Sequence, residues 1–330
     1  MTGTSSPVLG VDSGGSGIRF ALAAADGTPI GTPLVSREPV RTGPSGIDAA
    51  HLLAQLVPTA RRLAADAGVE QPAAVCVGAA GMATLGNELR AELPAALESA
   101  LGVRRLALAG DAVTAYAGAL GQRPGAVVAG GTGMIALGTD LGRWRRADGW
   151  GHLLGDCGSG AWIGQAGLEA AMRAHDGRSG GSRPLLARLT TMFGPAGEMP
   201  GQIYPRTDRP AVLASFAPEV AACAADGDPV AGAILREAAR HIAAAAAAVC
   251  PPPEAGECEV AFTGGLFKMG DPLLVPLATE LAVQLPHARP VPAAGDPLSG
   301  ALLVASALTR EDLRLPLDPK LLYVATEQDR

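Results

Sequence analysis

Two glycine-rich segments lie where the chain passes from one strand-like run to the next. Residues 13–17 follow the apolar run 8–12, and residues 130–133 follow the run 126–129, and each segment leads into a second strand-like run. A glycine-rich turn between two strands predicts a β-hairpin. Because glycine lacks a Cβ atom, the backbone N–H groups of such turns can closely approach an anion. The sequence therefore predicts two phosphate-binding hairpins.

A third glycine pair, Gly264 and Gly265, follows the predicted strand 259–262 and precedes the predicted helix 272–285. The chain has no G-x-x-x-x-G-K-[ST] motif, and it has no protein-kinase H-R-D or D-F-G signature. Residues 13–17 lead into a strand, whereas the dinucleotide-binding fingerprint leads into a helix. We interpret the two hairpins as holding a polyphosphate from both sides and the third turn as lying against a nucleoside.

Two aspartates follow predicted strands directly. Asp12 precedes the first glycine-rich segment, where its carboxylate could hold Mg²⁺ through water. The alternative is an aspartate that only initiates the turn. Asp111 follows the strand 105–109 and precedes the helix 112–120, so it could accept the proton of an attacking hydroxyl in phosphoryl transfer. The alternative for Asp111 is a helix N-cap.

Glycines recur through residues 148–156, which makes a stable helix there unfavourable and indicates a loop fitted to a ligand. Within this loop, Trp150 could pack against the face of a sugar, and Asp156 could accept hydrogen bonds from sugar hydroxyls. The alternative is a loop packed between two domains.

The order of predicted strands and helices indicates an α/β protein. The unit of strand, glycine-rich turn and strand occurs twice, about 115 residues apart, which predicts two related domains spanning residues 1–120 and 121–330. Residues 47–67, 84–101 and 230–249 have helical character, and Pro94 is expected to divide the second of these helices. The tail after Arg310 has no predicted element.

Composition excludes several classes of protein. A net charge of −6 and a pI near 5.4 disfavour a nucleic-acid-binding protein. The N-terminal residues lack the pattern of a secretion signal, and the apolar runs are too short for a transmembrane helix. The five cysteines are scattered without a C-x-x-C pair, so we expect free thiols and a cytoplasmic location.

The loop is the most specific part of a resemblance that covers about residues 8–308. Residues 149–159 are similar to the G-W-G-x-x-x-G-D-E-G-S motif of the BadF-type ATPase family, and particularly of its N-acetylglucosamine kinases. Residues 11–16, 131–133, 263–265 and 110–112 resemble the two phosphate motifs, the adenosine motif and the segment of the catalytic aspartate. Three departures from the family pattern lie on the acceptor side. They are Cys157 in place of a usual Glu, Met134 in place of a common Ser, and the lack of an Asn within residues 40–46.

The resemblance implies a two-domain actin/hexokinase-like fold, a duplicated ribonuclease H-like α/β fold with an interdomain cleft. It implies an ATP- and Mg²⁺-dependent kinase that phosphorylates an amino sugar, glucosamine or N-acetylglucosamine, at the C6 hydroxyl. Asp111 is then the base, Asp12 the metal ligand, and Gly149, Trp150 and Asp156 the sugar-binding residues. The implied nucleotide-binding residues are Asp12, Gly14, Gly15, Ser16, Gly131, Thr132, Gly133, Gly264 and Gly265.

Two other functions remain open at this point. One is an iron–sulfur ATPase that activates a 2-hydroxyacyl-CoA dehydratase, although the scattered cysteines offer no clear pair for a cluster. The other is a non-catalytic sugar-sensing protein, although no helix-turn-helix segment is expected before Val8. For partners we expect a sugar and ATP but neither nucleic acid nor membrane, and we expect a homodimer.

Overall fold

We describe the chain from a computed structural model, in which the described residues fall into two compact units. The first unit comprises residues 1–124, 139–144 and 292–330, and the second comprises residues 125–138 and 145–291. The described residues are 7–15, 17–43, 46–69, 71–255 and 258–329.

Strands and helices alternate through most of the first 140 residues, and helices predominate afterwards. The strands are β1 (Val8–Gly14), β2 (Gly17–Ala23), β3 (Pro29–Ser36), β4 (Thr42–Gly43), β5 (Gly46–Ile47), β6 (Ala74–Ala79), β7 (Arg105–Gly110), β8 (Gly125–Gly130), β9 (Met134–Thr139), β10 (Trp144–Asp148), β11 (Cys258–Thr263), β12 (Ala288–Pro292) and β13 (Leu322–Val324). The α-helices are α1 (Ala49–Ala67), α2 (Met82–Leu85), α3 (Asn87–Leu101), α4 (Asp111–Leu120), α5 (Gly160–His175), α6 (Arg183–Phe193), α7 (Met199–Ile203), α8 (Arg209–Ser215), α9 (Ala217–Ala225), α10 (Pro229–Val249), α11 (Asp271–Gln284) and α12 (Pro297–Arg310).

The first unit contains a six-stranded sheet in the order β13-β7-β6-β1-β2-β3. The strands β1, β6 and β7 run parallel, and β1 turns directly into the antiparallel β2. Strands β6 and β7 carry almost continuous apolar runs because helices cover both faces of the sheet. The core is built from aliphatic side chains with Phe20 among them, as the low aromatic content requires.

The second unit contains a five-stranded sheet in the order β10-β9-β8-β11-β12. Strands β8 and β11 are parallel neighbours at its centre. Helix α10 contributes buried alanines along one side, and Leu235 and Ile242 are fully buried with Phe216 of the adjoining helices. The sequence predicts this alanine-rich helix, but it gives no prediction for α5 to α9, where most of the unit's helical layer lies.

The division of the chain differs from the predicted domains 1–120 and 121–330. The first boundary lies at Pro124, close to the predicted position, but residues 292–330 belong to the first unit. Helix α12 packs against β1 and β6, and β13 pairs with β7. Strand β13 lies in the tail after Arg310, for which the sequence predicted no element. A boundary inferred from a repeated motif cannot reveal a segment that returns to the earlier unit.

The predicted break at Pro94 is wrong. Helix α3 continues through Pro94 because Leu89, Leu93 and Leu97 are buried along one side and hold it in place. The helical segment is instead interrupted at Gly86, where a Cβ atom would lie 2.5 Å from the carbonyl oxygen of Met82.

The expectation of free thiols is wrong for one pair. Cys250 and Cys258 form a disulfide, because the chain reverses between the end of α10 and the start of β11 and brings their Cα atoms to 6.8 Å. Cys76, Cys157 and Cys223 are free. In the part of the chain that the structure describes, no helix is long and apolar enough to span a membrane.

Helices α4 and α12 of the first unit approach each other through glycines. A Cβ atom at Gly300 would lie 1.9 Å from the carbonyl oxygen of Thr114 and 2.5 Å from the amide nitrogen of Gly118. A Cβ atom at Gly118 would lie 2.1 Å from the carbonyl oxygen of Asp296. These neighbours are backbone atoms, which cannot move aside as a flexible side chain can. Glycine is therefore required at this helix crossing.

Replacing Gly300 with Ala should destabilise the first unit. Forcing these two backbones apart is expected to lower the free energy of unfolding by about 1–3 kcal/mol, measured by chemical denaturation. Gly232→Ala is the matched control, since its Cβ atom would meet only the end of the Arg236 side chain, at 3.3 Å. In the interior of α10 that change should raise the free energy of unfolding by about 0.5–1 kcal/mol. Equal effects of the two substitutions would contradict the close crossing.

Candidate functional site

The carboxyl ends of three parallel strands bring the predicted acidic residues of the first unit to one edge of its sheet. Asp12 on β1 is level with Gly78 on β6, which is level with Ala109 on β7. Asp111 follows β7 by one residue and therefore lies at the same edge as the turn after β1. Neighbouring strands are about 4.8 Å apart, so two strand spacings separate β1 from β7, about 10 Å.

Asp12 is held by an arginine from the next strand. Arg19 lies opposite Asp12 in the β1–β2 hairpin, and its Nε and Nη2 atoms donate to Asp12 Oδ2 at 3.0 and 2.6 Å. Its Nη1 atom donates to Asp296 Oδ2 at 2.5 Å. One guanidinium thus binds two carboxylates, and the Asp12 side chain remains 14% exposed.

Asp296 also caps helix α12. Its Oδ1 atom accepts hydrogen bonds from the backbone N–H and the hydroxyl of Ser299, both at 2.9 Å. Burial acts to raise the pKa of the Asp296 carboxyl, but the hydrogen bonds from Ser299 and Arg19 hold this pKa below its usual range. Burial likewise opposes the charge on Arg19, yet its bonds to the two carboxylates raise the pKa of Arg19 above the ordinary arginine value. Asp296 and Arg19 are therefore both charged near neutral pH.

Asp111 is the first residue of α4 and is exposed. Gly110 occupies the N-cap position and makes no side-chain cap bond, so the alternative of Asp111 as the helix cap is not what the structure shows. Its Oδ1 atom accepts from the following amide of Ala112 at 2.9 Å. The N-terminal end of the helix dipole favours an ionised carboxylate at this position.

The first predicted phosphate hairpin joins β1 to β2. Cβ atoms at Gly14 and Gly15 would meet nothing within 4 Å, so these residues leave open space beside the backbone. Gly17 has φ +131° and lies against the carbonyl oxygen of Ser36. Ser16, a predicted phosphate contact, lies outside the described residues.

The second glycine-rich turn is docked onto the start of α5. The N–H groups of Gly160 and Ala161 donate to the carbonyl oxygens of Gly131 and Thr132 at 2.9 and 3.0 Å. The turn itself is closed by a bond from the Gly131 amide to the Gly133 carbonyl, at 2.8 Å. The first N–H groups of a helix have no partner within it, so these carbonyls satisfy two of them and fix the turn. The side chain of Thr132 remains exposed.

The third glycine-rich turn meets the second at the end of the sheet. Strands β8 and β11 pair in parallel with Thr263 opposite Ala129, so both turns emerge at the same edge. Gly264 has φ +102°, and a Cβ atom there would lie 2.1 Å from the carbonyl oxygen of Gly130. The structure thus brings together the predicted phosphate and adenosine motifs of the second unit.

These two turns line one cavity of about 760 Å³. One face of α9 forms a wall of small residues, and the short 3-10 turn Gly265–Met269 forms another. The lining residues are Gly131, Thr132, Gly160, Ala211, Ala214, Ser215, Ala217, Pro218, Ala221, Ala222, Ala225, Gly265, Leu266, Lys268, Met269 and Pro272.

The predicted sugar loop is tied to the second glycine-rich turn by Asp156. A Cβ atom at Gly133 would lie 2.5 Å from Asp156 Oδ2, and Asp156 Oδ1 accepts from the Gly151 amide at 3.1 Å. The amide of Asp156 donates in turn to Asp148 Oδ1 at 2.9 Å. Asp156 is only 5% exposed, and its hydrogen bond with Gly151 organises the loop. Burial raises the pKa of the Asp148 carboxyl, and the nearby negative charge of Asp156 raises it further.

Trp150 stands out from this loop with 60% of its surface exposed. The guanidinium of Arg146 lies 4.3 Å from the centre of its ring. Arg146 also donates from Nε to the carbonyl of Asp148 at 3.0 Å and from Nη2 to the carbonyl of Gly149 at 2.5 Å. A cation therefore covers part of the ring that the sequence assigns to a sugar face.

The two unusual residues of this region lie in different surroundings. Met134 is 2% exposed and packs in the core of the second unit. Cys157 is partly exposed and free. Burial raises the pKa of its thiol, and the negative charges of Asp148 and Asp156 raise this pKa further.

The residues present fit a magnesium ion that arrives with a nucleotide. Within the described ranges, no group of three or more His, Cys, Asp or Glu side chains is arranged to hold a metal ion by itself. Mg²⁺ commonly keeps several waters and is held by one or two carboxylates together with substrate phosphates. Asp12, fixed through one oxygen by Arg19, offers one such carboxylate.

Sequence reasoning missed Arg19, Asp296 and Lys268. The pairing of Arg19 with Asp12 follows from the hairpin register and could have been found by counting back across the turn. Asp296 lies 277 positions from Arg19, and no local pattern connects them. Lys268 is one of only two lysines in the chain, a rarity that draws attention to it but assigns no role.

The profile of the BadF/BadG/BcrA/BcrD ATPase family matches residues 9–305. A curated relative, the N-acetylmuramic acid/N-acetylglucosamine kinase of Clostridium acetobutylicum, is 27% identical over 310 residues, which cover 90% of this chain and 97% of the relative. A structure from Chromobacterium violaceum, named provisionally as an N-acetylglucosamine kinase, is similar at 32% identity with a TM-score of 0.65. The match covers 92% of this chain and 99% of that one.

A ROK family glucokinase from Streptomyces griseus, solved with glucose and AMPPNP, shares the fold at 20% identity with a TM-score of 0.54. This match covers 92% of the present chain and 99% of the glucokinase. The predicted α/β fold of the actin/hexokinase type is confirmed by these likenesses.

The acidic surroundings of Cys157 give a testable reactivity. Asp148→Asn removes one negative charge near the thiol but keeps an oxygen that can accept from the Asp156 amide. We expect the pKa of Cys157 to fall, which makes alkylation by iodoacetamide about threefold faster at a pH below that pKa. Labelling rates at Cys157, followed by mass spectrometry as a function of pH, measure this. Asp66→Asn, on the exposed side of α1, is the control and should leave the rate unchanged, and an unchanged rate in Asp148→Asn would refute the electrostatic account.

Proposed function

We propose that this chain, which belongs to the BadF/BadG/BcrA/BcrD ATPase family, is an ATP-dependent kinase that phosphorylates the C6 hydroxyl of an amino sugar. The acceptor sugar is glucosamine or N-acetylglucosamine. The proposal assigns nucleotide binding to the second unit, and it assigns the catalytic base and the metal-binding carboxylate to the first unit.

The observation that carries the proposal is the cavity shared by the second and third glycine-rich turns. Its volume of about 760 Å³ suits a nucleoside with phosphates, since ligand pockets typically measure about 300–1,000 Å³. The small apolar residues of α9 suit the faces of an adenine ring, and the turn containing Gly131 and Thr132 suits the phosphates. Two motifs that lie about 130 positions apart in the sequence thus contribute to one site.

Asp111 acts as the general base. Its exposed carboxylate can accept the proton of the sugar hydroxyl while that oxygen attacks the terminal phosphorus, and the bond from phosphorus to the leaving oxygen of ADP breaks. Gly110 occupies the N-cap position of α4, and Asp111 Oδ1 accepts from the amide of Ala112 within the first turn. The open space beside Gly14 and Gly15 would suit the approach of an anion to the backbone of the first hairpin.

Asp12 would hold Mg²⁺ through water, and the bound ion would neutralise charge on the phosphates. Arg19 binds Asp12 Oδ2 twice and so fixes the direction of the carboxylate. Its second bond, to Asp296, keeps the guanidinium in place by joining it to the start of α12.

Two observations support an amino sugar as the acceptor. Both the curated relative and the structure at 32% identity carry names that include N-acetylglucosamine kinase. The loop that contains Gly149, Trp150 and Asp156 is anchored to the second glycine-rich turn, so a sugar bound by this loop would have a hydroxyl near a phosphate held by that turn.

The free cysteines give little support to a cluster-bearing activator, because Cys76 and Cys223 are buried and Cys250 is bonded to Cys258.

Asp111→Asn should preserve folding and nucleotide binding but lower kcat by at least about a hundredfold, the usual lower range for loss of a general base. Sugar-dependent ADP release measures the effect. Asp271→Asn is the matched control, because Asp271 also opens a helix directly after a capping glycine. Both variants lose a similar favourable interaction with the helix dipole, about 0.3–1 kcal/mol, so only a catalytic role separates them. Near-normal turnover in Asp111→Asn would remove the base from the proposal.

A screen of ADP release tests the substrate. We expect glucosamine or N-acetylglucosamine to be turned over far faster than glucose, with N-acetylmannosamine and N-acetylmuramic acid as further comparisons, and we expect NMR of the product to locate the phosphate at C6. Preference for glucose would make the amino-sugar assignment wrong while leaving a kinase. If none of these sugars supports ADP release, a dehydratase activator or a sugar sensor becomes the better assignment.

A further inference from the structure

We propose that Lys268 is a nucleotide-binding residue whose ammonium group recognises the phosphates of a nucleoside di- or triphosphate in the cavity of the second unit. The proposal rests on the proposed function, because it assumes that this cavity takes ATP. It adds a residue that no glycine-rich motif contains.

Lys268 supplies the charge of this cavity. Among the lining residues given above, all of them described, it is the one with an ionisable side chain, and the others are small, apolar or hydroxyl-bearing. Within the part of the chain that the structure describes, no ion pair engages its ammonium group. Lysine is also rare in this chain, since Lys320 is the other one and arginine supplies the remaining positive charge. A lone cation beside an apolar wall favours a ligand with an anionic end and an apolar end.

The position of Lys268 indicates which end it binds. It lies in the 3-10 turn Gly265–Met269, which begins at the third glycine-rich turn, and that turn touches the end of β8 through Gly264. The end of β8 leads into Gly131 and Thr132, the candidate phosphate-binding turn. The lysine is therefore carried by the segment that adjoins this turn. The opposite wall, from Ala217 to Ala225 on α9, offers only small apolar surface to the ligand.

Lysine suits this role because its ammonium is a compact point charge on a flexible stem. It can follow a phosphate chain without the fixed two-pronged geometry that arginine imposes. The hydrogen bonds of the second glycine-rich turn also favour a side chain as a phosphate ligand. The Gly131 amide is bonded to the Gly133 carbonyl, and the first amides of α5 are bonded to the carbonyls of Gly131 and Thr132. Several backbone donors near the turn are thus already in use.

The test compares ligands that differ only in phosphate number. Binding of adenosine, ADP and ATP is measured by calorimetry at constant Mg²⁺ for the wild-type protein and for Lys268→Gln, Lys268→Arg and Lys320→Gln. We expect Lys268→Gln to weaken ADP and ATP binding about tenfold and to leave adenosine binding unchanged. Lys268→Arg should restore most of the loss, and the ADP affinity of Lys268→Gln should depend less on salt. Lys320→Gln removes the other lysine, in a turn of the first unit, and should change nothing.

Two outcomes would overturn the role of Lys268 while leaving a nucleotide site. One is equal ADP affinity in wild type and Lys268→Gln, and the other is an equal loss for adenosine and ADP, which would indicate packing rather than charge. Failure of the proposed function looks different. If wild type binds ADP through Lys268 but no sugar supports ADP release, the kinase assignment falls and the lysine role stands. If wild type binds no adenine nucleotide, both fall.

Discussion

The contact between Gly264 and the carbonyl of Gly130 is the constraint on which the candidate nucleotide site depends. It requires a residue without a Cβ atom in the left-handed region of φ, and it fixes the ends of two parallel strands against each other. The turn between β8 and β9 and the turn before α11 are consequently held together at one edge of the sheet. The cavity is bounded by this edge on one side and by the alanines of α9 on another. A bulkier residue at position 264 would separate the two turns before any ligand contact was affected.

In the first unit, the corresponding constraint is the orientation of acidic side chains at a sheet edge. Arg19 orients these side chains by binding two carboxylates from segments far apart in the chain. One of those carboxylates starts α12, which crosses α4 at the closely packed glycines, and α4 begins with Asp111. The orientation of Asp12 and the placement of Asp111 therefore share a common support in α12. A change at the helix crossing would be transmitted to both acids, although neither touches the glycines directly.

The sequence predicts the strands and turns of this edge well because their signals are local. Glycines at 14, 15, 131, 133, 264 and 265 mark turns by themselves, and the aspartates are adjacent to the strands that position them. The paired roles of Arg19 and Asp296 could not be predicted, since an ion pair across 277 positions leaves no pattern in a single sequence. The wall formed by α9 was equally hidden, because α9 was not predicted and the small residues of this segment do not by themselves indicate a cavity. The assignments of Asp12, Asp111, Trp150 and Asp156 to metal, catalysis and sugar remain predictions, and the structure adds their partners.

The disulfide and the division of the chain were mispredicted for related reasons. A pair of cysteines eight positions apart is joined only because a helix and a strand meet there, and the spacing alone does not specify that reversal. A repeated motif likewise marks where a unit begins but not where its last elements come from. Both features depend on contacts made after the chain has folded back.

The return of residues 292–330 to the first unit has a consequence for biosynthesis. A ribosome makes every strand of the first sheet except β13 before it begins the second unit, yet α12 and β13 are made after the second unit has been completed. During translation, β7 therefore lacks its outer neighbour β13, and Arg19 lacks Asp296, until these later segments have emerged. The first unit cannot complete its sheet until the second unit has been translated. The edge of β7 is therefore exposed in the nascent chain while the second unit is being made.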